Sequence, residues 1–338
     1  MLDLISGQVG NGHAELVDET PDIGRDTLAK VSLVVPCYNE QAVLPETIER
    51  LTALLDRLTD SGRIDPDSSI TFVDDGSKDT TWQMINAAHA RDERVKGIKL
   101  SRNRGHQNAL LAGLLSVRGD VLISLDADLQ DDLDAIPKML DAWRAGAEIV
   151  YGVRTRRDVD TPFKRITARL YYRMLLAFGV EAIPDHADFR LMSRRAIQAL
   201  REFGEVNLFL RGIIPLLGFN TATVHYDRKA RTAGETHYPF KRMLALALDG
   251  IMAFSSLPLQ IIFPIGAMFS LIAAALACWA IGVRLLTDTS VPGGASIVIP
   301  MYFLGGLQLL ALGVMGGYLA RIYAETKKRP RYIIEEKL

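Results

Sequence analysis

Cysteine is nearly absent from this chain of 338 residues: Cys37 and Cys278 are the only two. They stand far apart, with neither a disulfide framework nor zinc spacing, which fits a reducing compartment. Net charge is lacking too, at -1 near pH 7, so no global field calls for nucleic acid. Neither GxGxxG nor GxxxxGK[ST] appears, which excludes a pyrophosphate cradled on a glycine loop. Residues 1–30 have no basic start and no apolar run. They read as a polar arm and not as a signal peptide.

Charge is missing most completely from two long stretches. From Pro258 to Val283, and again from Thr289 to Ala320, no residue carries one. A span needs roughly 20 apolar residues, so each stretch suffices. We expect transmembrane helices over 258–286 and 296–321, joined by a Pro- and Gly-containing turn. Arg321, Lys327, Lys328, Arg329 and Arg331 follow the second span, whereas the linker holds only Arg284 and Asp288. The positive-inside rule then places the basic tail 322–338 and the large N-terminal portion in the cytoplasm.

The remaining sequence alternates. Apolar runs at 31–35, 70–73, 97–100, 121–125 and 148–153 are separated by helical patterns, which predicts an α/β domain with a mainly parallel, Rossmann-like sheet. Ligands of such sheets bind beyond the carboxyl ends of the strands. Polar clusters fall there four times: PCYNE (36–40), DDGSKDT (74–80), SRNRG (101–105) and DADLQDD (126–132). In the last, Asp126, Asp128, Asp131 and Asp132 crowd a strand end, and like charges repel. Asp126 and Asp128 suit Mg²⁺ or Mn²⁺, which prefer oxygen ligands and would bridge the protein to a diphosphate. An EF-hand reading fails, because its sixth and twelfth positions hold Asp131 and Pro137 where Gly and Glu belong.

Two basic amphipathic segments follow, 162–178 and 238–256. In the first, Arg165, Arg169 and Arg173 repeat every four residues beside an apolar face, as in a helix lying in the headgroup plane. Guanidinium groups bind phosphate bidentately. Arg154, Arg165 and Arg169 are therefore expected to dock a lipid phosphate.

The ordered set VVPCYNE, FVDDGSKDTT, LSRNRGHQNALLAGL, LDADLQD and ADFRLMSR resembles glycosyltransferase family 2, of the GT-A fold. More narrowly, the chain is similar to the polyprenyl-phosphate glycosyltransferases, among them bactoprenol-phosphate glucosyltransferases and dolichol-phosphate mannose synthases. The resemblance implies a catalytic domain over 31–237. It implies that Pro36, Tyr38 and Glu40 border the nucleoside and that Asp75 reads the base or ribose. Asp126, Asp128 and Gln130 would hold metal and donor phosphates, and Arg231 would close over the diphosphate. His237 stands where the family's loop has lysine, with Lys241 or Arg242 available to substitute. Asp188, before Phe189-Arg190, would orient the acceptor, serve as base, or pair with Arg190. No Q-x-x-R-W motif of the processive synthases is present.

The implied reaction moves one sugar from a nucleotide diphosphate sugar to a polyprenyl phosphate by inverting displacement, at the plasma membrane of a bacterium. The C-terminal resemblance favours UDP-glucose. UDP-galacturonic acid, UDP-N-acetylglucosamine, a UDP-aminoarabinose derivative and GDP-mannose stay open, as does a non-catalytic nucleotide-sugar binder. The Gly-rich LGGLQ and MGGYLA segments permit close packing between helices, so a homo-oligomer stays open as well.

Overall fold

The computed structural model describes residues 27–154, 186–206, 208–227, 257–286 and 294–338. Eight strands form one sheet in the order β7-β5-β6-β4-β1-β2-β3-β8. They are β1 (Val31–Cys37), β2 (Ser69–Asp74), β3 (Val95–Leu100), β4 (Val121–Ser124), β5 (Ile149–Arg154), β6 (His186–Ser193), β7 (Thr221–Tyr226) and β8 (Ile334–Lys337). β1 pairs in parallel with β2 and β4, β2 with β3, and β5 with β7. Only β6 and β8 run the other way. The mainly parallel sheet expected from the alternation is present, extended by three strands that the apolar runs do not announce.

Helices cover both faces. α1 (Leu44–Asp60), α2 (Thr81–His89) and α4 (Ala135–Arg144) pack one side, and α3 (His106–Ser116), α5 (Arg194–Arg201) and α6 (Leu210–Leu216) the other. The strand pleat sends successive side chains to opposite faces. Leu33 and Val35 accordingly join the first core and Val34 the second. α3 lies close on the sheet because Gly113 has no Cβ to strike Val34 and Val73.

Two further helices, α7 (Leu257–Leu286) and α8 (Gly294–Thr326), are long and apolar enough to cross a membrane. Their apolar windows, Leu259–Leu276 and Phe303–Thr326, have mean hydropathies of 2.1 and 1.6, and neither is buried. A core helix of a soluble domain would be covered. Phe269 and Phe303 meet with ring centroids 5.5 Å apart, joining the two helices side by side.

The segment after α8, which the sequence suggests is only a basic tail, returns to the eight-stranded sheet. β8 pairs antiparallel with β3, Ile334 facing Leu100 and Lys337 facing Ile98. The Leu338 N–H donates to the Gly97 carbonyl at 2.9 Å, and Trp82 Nε1 donates to Glu336 at 3.2 Å. Just before it, the Glu325 carboxylate accepts the Val206 N–H at 2.9 and 3.0 Å, and Arg331 donates to the Phe203 carbonyl at 2.8 Å. Two interface helices were expected at 162–178 and 238–256; both lie outside the described residues.

Candidate active site

The four polar clusters meet at the carboxyl edge of the sheet because β1 to β4 point the same way. Their loops interlock through short polar contacts. Asn39, at φ 54°, donates its N–H to Ser77 Oγ and accepts the Lys78 N–H on its side chain, both at 2.9 Å. The Glu40 N–H donates to Thr81 Oγ1 at 3.0 Å. Gly76, at φ 68°, packs where an added Cβ would come within 2.7 Å of the Arg102 backbone. That approach joins the second loop to the third and excludes any side chain.

Asp75 completes the join. It is buried, and its two oxygens accept the Arg104 and Gly105 N–H groups at 2.7 and 2.8 Å. The resemblance implies that Asp75 reads the base or ribose, and in the structure both its oxygens also order the SRNRG loop. Burial, against the pull of those two bonds, raises its carboxyl above the usual range. Pro36 is buried at the end of β1, Tyr38 is exposed, and Glu40 is half-buried.

The aspartate cluster sits on a loop pinned from several sides. Thr47 on α1 donates to the Ala127 carbonyl at 2.6 Å. Leu129 adopts φ 45° with its side chain buried in the core. A left-handed bulky residue costs free energy and persists only where its surroundings over-determine it. Here core burial on one side of the loop leaves Asp126 and Asp128 partly exposed on the other. Gln130, expected beside them as a ligand, is buried, and its N–H donates to Asp128 Oδ1 at 3.3 Å. Asp131 is buried too. It accepts from the Tyr226 hydroxyl, and from Arg154 at 3.3 Å. Arg154, expected to dock a lipid phosphate, thus braces this loop from the end of β5.

Asp188 lies alongside because β6 runs antiparallel between β4 and β5, which puts its first residues at the same edge. Ser124 donates to the Asp188 carbonyl. Three basic side chains converge on the carboxylate: Arg190 at 2.5 Å, Arg211 through Nε and Nη2 at 3.2 Å each, and His106 Nε2 at 3.4 Å. His106 Nε2 is also 3.6 Å from Asp126 Oδ1. Burial alone would raise Asp188, but His106, Arg190 and Arg211 overcome it and hold the carboxyl far below its usual range. Burial opposes a charge on His106, and the Asp188 and Asp126 carboxylates outweigh it, so its pKa is raised. Burial, offset by His106 and reinforced by Asp131, Asp188 and Asp128, pushes the Asp126 carboxyl up to about 6.

His106 and Arg211 were not anticipated from the sequence. Each left a signal: His106 opens a helix immediately behind a ligand-edge loop, and Arg211 is a lone charge in the apolar run LFLRGIIPLL. Arg165, Arg169, Arg231 and His237 lie outside the described residues.

The donor set fits a hard divalent cation. Asp126 and Asp128 offer two carboxylates on one loop, and no third His, Cys, Asp or Glu completes a cage among the described residues. Mg²⁺ is commonly held by one or two carboxylates, with substrate phosphates and water supplying the rest.

Comparison with known proteins agrees with this geometry. The model for glycosyl transferase family 2 matches residues 32–201. An uncharacterized glycosyltransferase, YkoT, of Bacillus subtilis (strain 168) is 47% identical over 307 residues, covering 90% of this chain and 91% of that protein. The bactoprenol glucosyl transferase of Shigella phage SfX is 37% identical over 312 residues, covering 91% and 99%. Among solved structures, glucosyl-3-phosphoglycerate synthase from Mycobacterium tuberculosis superposes with a TM-score of 0.44 at 18% identity, over 66% of this chain and 78% of that one. With its motifs gathered on one sheet edge and its sequence matched to such relatives nearly end to end, the chain belongs to glycosyl transferase family 2 and is a glycosyltransferase.

Proposed function

We propose that this glycosyltransferase moves a single sugar from a nucleotide diphosphate sugar, UDP-glucose, to a polyprenyl phosphate at the cytoplasmic face of a bacterial membrane. One observation carries the reading: the end of α8 attaches at the sheet edge that holds Asp126 and Asp128. β8, running antiparallel, begins opposite Leu100 at the carboxyl end of β3. With α7 and α8 in a bilayer, the site faces the lipid surface from the side carrying the basic residues after α8. A relative named bactoprenol glucosyl transferase, matched over 91% of this chain, favours the same acceptor and sugar.

The roles follow from the contacts. Asp126 and Asp128 would hold Mg²⁺ or Mn²⁺, which when bound supplies positive charge to the departing diphosphate. Tyr38 and Glu40 border the nucleoside on the first loop, and Arg231 and His237 belong to the segment proposed to close over the donor. A phosphate monoester has its second pKa near roughly 6, so the acceptor oxygen arrives anionic and needs no strong base. That suits Asp188, whose proton affinity its cationic neighbours have lowered. It orients groups and does not collect a proton. A single displacement inverts the anomeric centre, and the close approach of the two substrates supplies much of the rate.

The test incubates membranes containing the chain with labelled UDP-glucose, Mg²⁺ and undecaprenyl phosphate, beside the other UDP-sugars and GDP-mannose. Label entering the organic phase from UDP-glucose supports the reading. Label from another donor alone replaces the sugar, and no lipid-linked product from any donor removes the acceptor assignment.

A further inference from the structure

The last turn of α8 carries the wrong charge for its place. The carbonyl end of a helix favours cations and disfavours an acid, yet Glu325 stands one residue before the helix ends at Thr326. Departures from local preference concentrate where a residue serves something beyond its own element. Here that is the α/β domain: the two carboxylate oxygens accept the Val206 N–H at 3.0 and 2.9 Å. Glu325 also lies inside the apolar window Phe303–Thr326. The domain therefore grips the span itself and not a linker beyond it.

The chain stays taut after that grip. Lys328 turns at φ 45° and donates its N–H to the Glu325 carbonyl at 3.1 Å, in the left-handed conformation that commonly ends a helix. Arg331 then donates to the Phe203 carbonyl at 2.8 Å, and the Ile333 carbonyl accepts the Ser101 N–H at 3.0 Å. Tyr332 and Ile334 pack with Phe203 and Leu208 on the α3 side of the sheet. These anchor points border the site. Ser101 opens the SRNRG loop, whose far end Asp75 holds. Phe203 and Val206 precede α6, which brings Arg211 to Asp188. The Leu210 N–H of α6 is tied in turn to Gln107, beside His106, at 3.0 Å.

We propose that Glu325, Arg331 and the Ile333 carbonyl form a clamp that holds the Asp126–Asp128 edge at one height and tilt over the bilayer, and that Glu325 and Arg331 are thereby positioning residues for a membrane-embedded acceptor. The inference rests on the transfer reaction proposed above. Undecaprenyl phosphate keeps its chain in the membrane, so its phosphate occupies only the headgroup layer. A domain on a slack tether would meet that layer in many orientations, few of them productive. A domain clamped to the last turn of a span meets it in one, and fixed orientation is worth large factors in rate. An acceptor free in water needs no such alignment.

The experiment uses the full chain in proteoliposomes and compares two acceptors. Undecaprenyl phosphate is placed in the bilayer, and citronellyl phosphate, a short prenyl phosphate, is added in the water; UDP binding with Mg²⁺ is measured alongside. Glu325→Ala should lower transfer to undecaprenyl phosphate about tenfold or more, while transfer to citronellyl phosphate and UDP affinity stay within about twofold. Glu325→Gln keeps an acceptor oxygen and should recover part of the loss. Arg331→Gln should shift the ratio of the two acceptors in the same direction, and it carries the test if Glu325→Ala does not fold, as judged by thermal melting. If only undecaprenyl phosphate is accepted, UDP affinity is the reference. In the wild type the Val206 and Ser101 amides should exchange slowly with deuterium; fast exchange at both overturns the clamp whatever the variants do. Equal losses with both acceptors, or a matching loss of UDP affinity, also overturn it, by reducing these contacts to fold stability. So does unchanged transfer to undecaprenyl phosphate in folded variants. A wild type that transfers sugar to neither acceptor overturns the transfer reading, and the purpose of the clamp with it.

Discussion

The residues that matter most here are carboxylates, and their neighbours decide what each one does. Asp75 and Asp131 are engaged by the scaffold and Asp188 by two arginines and His106, whereas Asp126 and Asp128 stay partly exposed. Asp128→Asn should reduce sugar transfer on the order of 10²-fold or more, as expected when a transition-state charge loses its stabilisation. Its melting temperature and membrane association should match wild type, which a turnover assay beside a thermal melt would check. Asp188→Asn should instead cost stability, by about 3 kcal/mol, because it leaves buried Arg190 poorly paired. A depressed folded pKa contributes stability that is complete above the unfolded value and is lost as pH falls through the folded one. The penalty measured by denaturation should therefore stay level from about pH 7 to about pH 5 and shrink only in stronger acid. Sequence alone marked the aspartate motif as a site. It could not rank these carboxylates, because burial and partners come from distant segments. Arg154 shows the limit: its place at a strand end was legible, whereas its contacts to Tyr226 and Asp131 come from distant segments.

At the scale of elements, β1 to β5 and α1 to α4 were legible from apolar runs and helical periodicity. β6, β7 and β8 were not. β6 alternates polar and apolar residues over 186–191, but its polar Asp188 and Arg190 are buried like Phe189 and Leu191, which a half-solvated strand pattern does not anticipate. β8 reads as the polar run IEEK and gains its order from hydrogen bonds to β3, which composition does not encode. That strand gives the C-terminus a structural duty. Deleting residues 334–338 would bare the β3 edge and remove Leu338 from its place against Gly97 and Trp82. The deletion should lower the melting temperature of the full-length protein by several degrees, roughly what 1–2 kcal/mol produces in a domain of this class. Hydrogen exchange should speed up in β3 and leave β4 protected; equal exchange in both would mean that β8 contributes no local stability.

Across the whole molecule, one sheet edge gathers the anionic motif, the basic side chains around Asp188 and the return of the chain from α8. The two long charge-free runs were plain in the sequence, and the exposed apolar faces of α7 and α8 accord with a lipid environment. What the sequence could not convey was that the chain comes back after α8 to complete the eight-stranded sheet. If the hairpin spans the membrane, its ends share one side. In a Cys278→Ser background, Thr289→Cys should react with an impermeant thiol reagent applied to intact spheroplasts, while Lys337→Cys should react only after permeabilisation. Labelling of Lys337→Cys from outside would contradict the orientation.

The most direct measurement is transfer by the purified full-length chain, given undecaprenyl phosphate and UDP-glucose, with products read by mass spectrometry before and after chelation. The account predicts an undecaprenyl-phosphate hexose that forms with Mg²⁺ or Mn²⁺, vanishes with EDTA and returns when the ion is restored. Folded protein that yields the same product in EDTA, or that yields no lipid-linked hexose with the ion present, would contradict it.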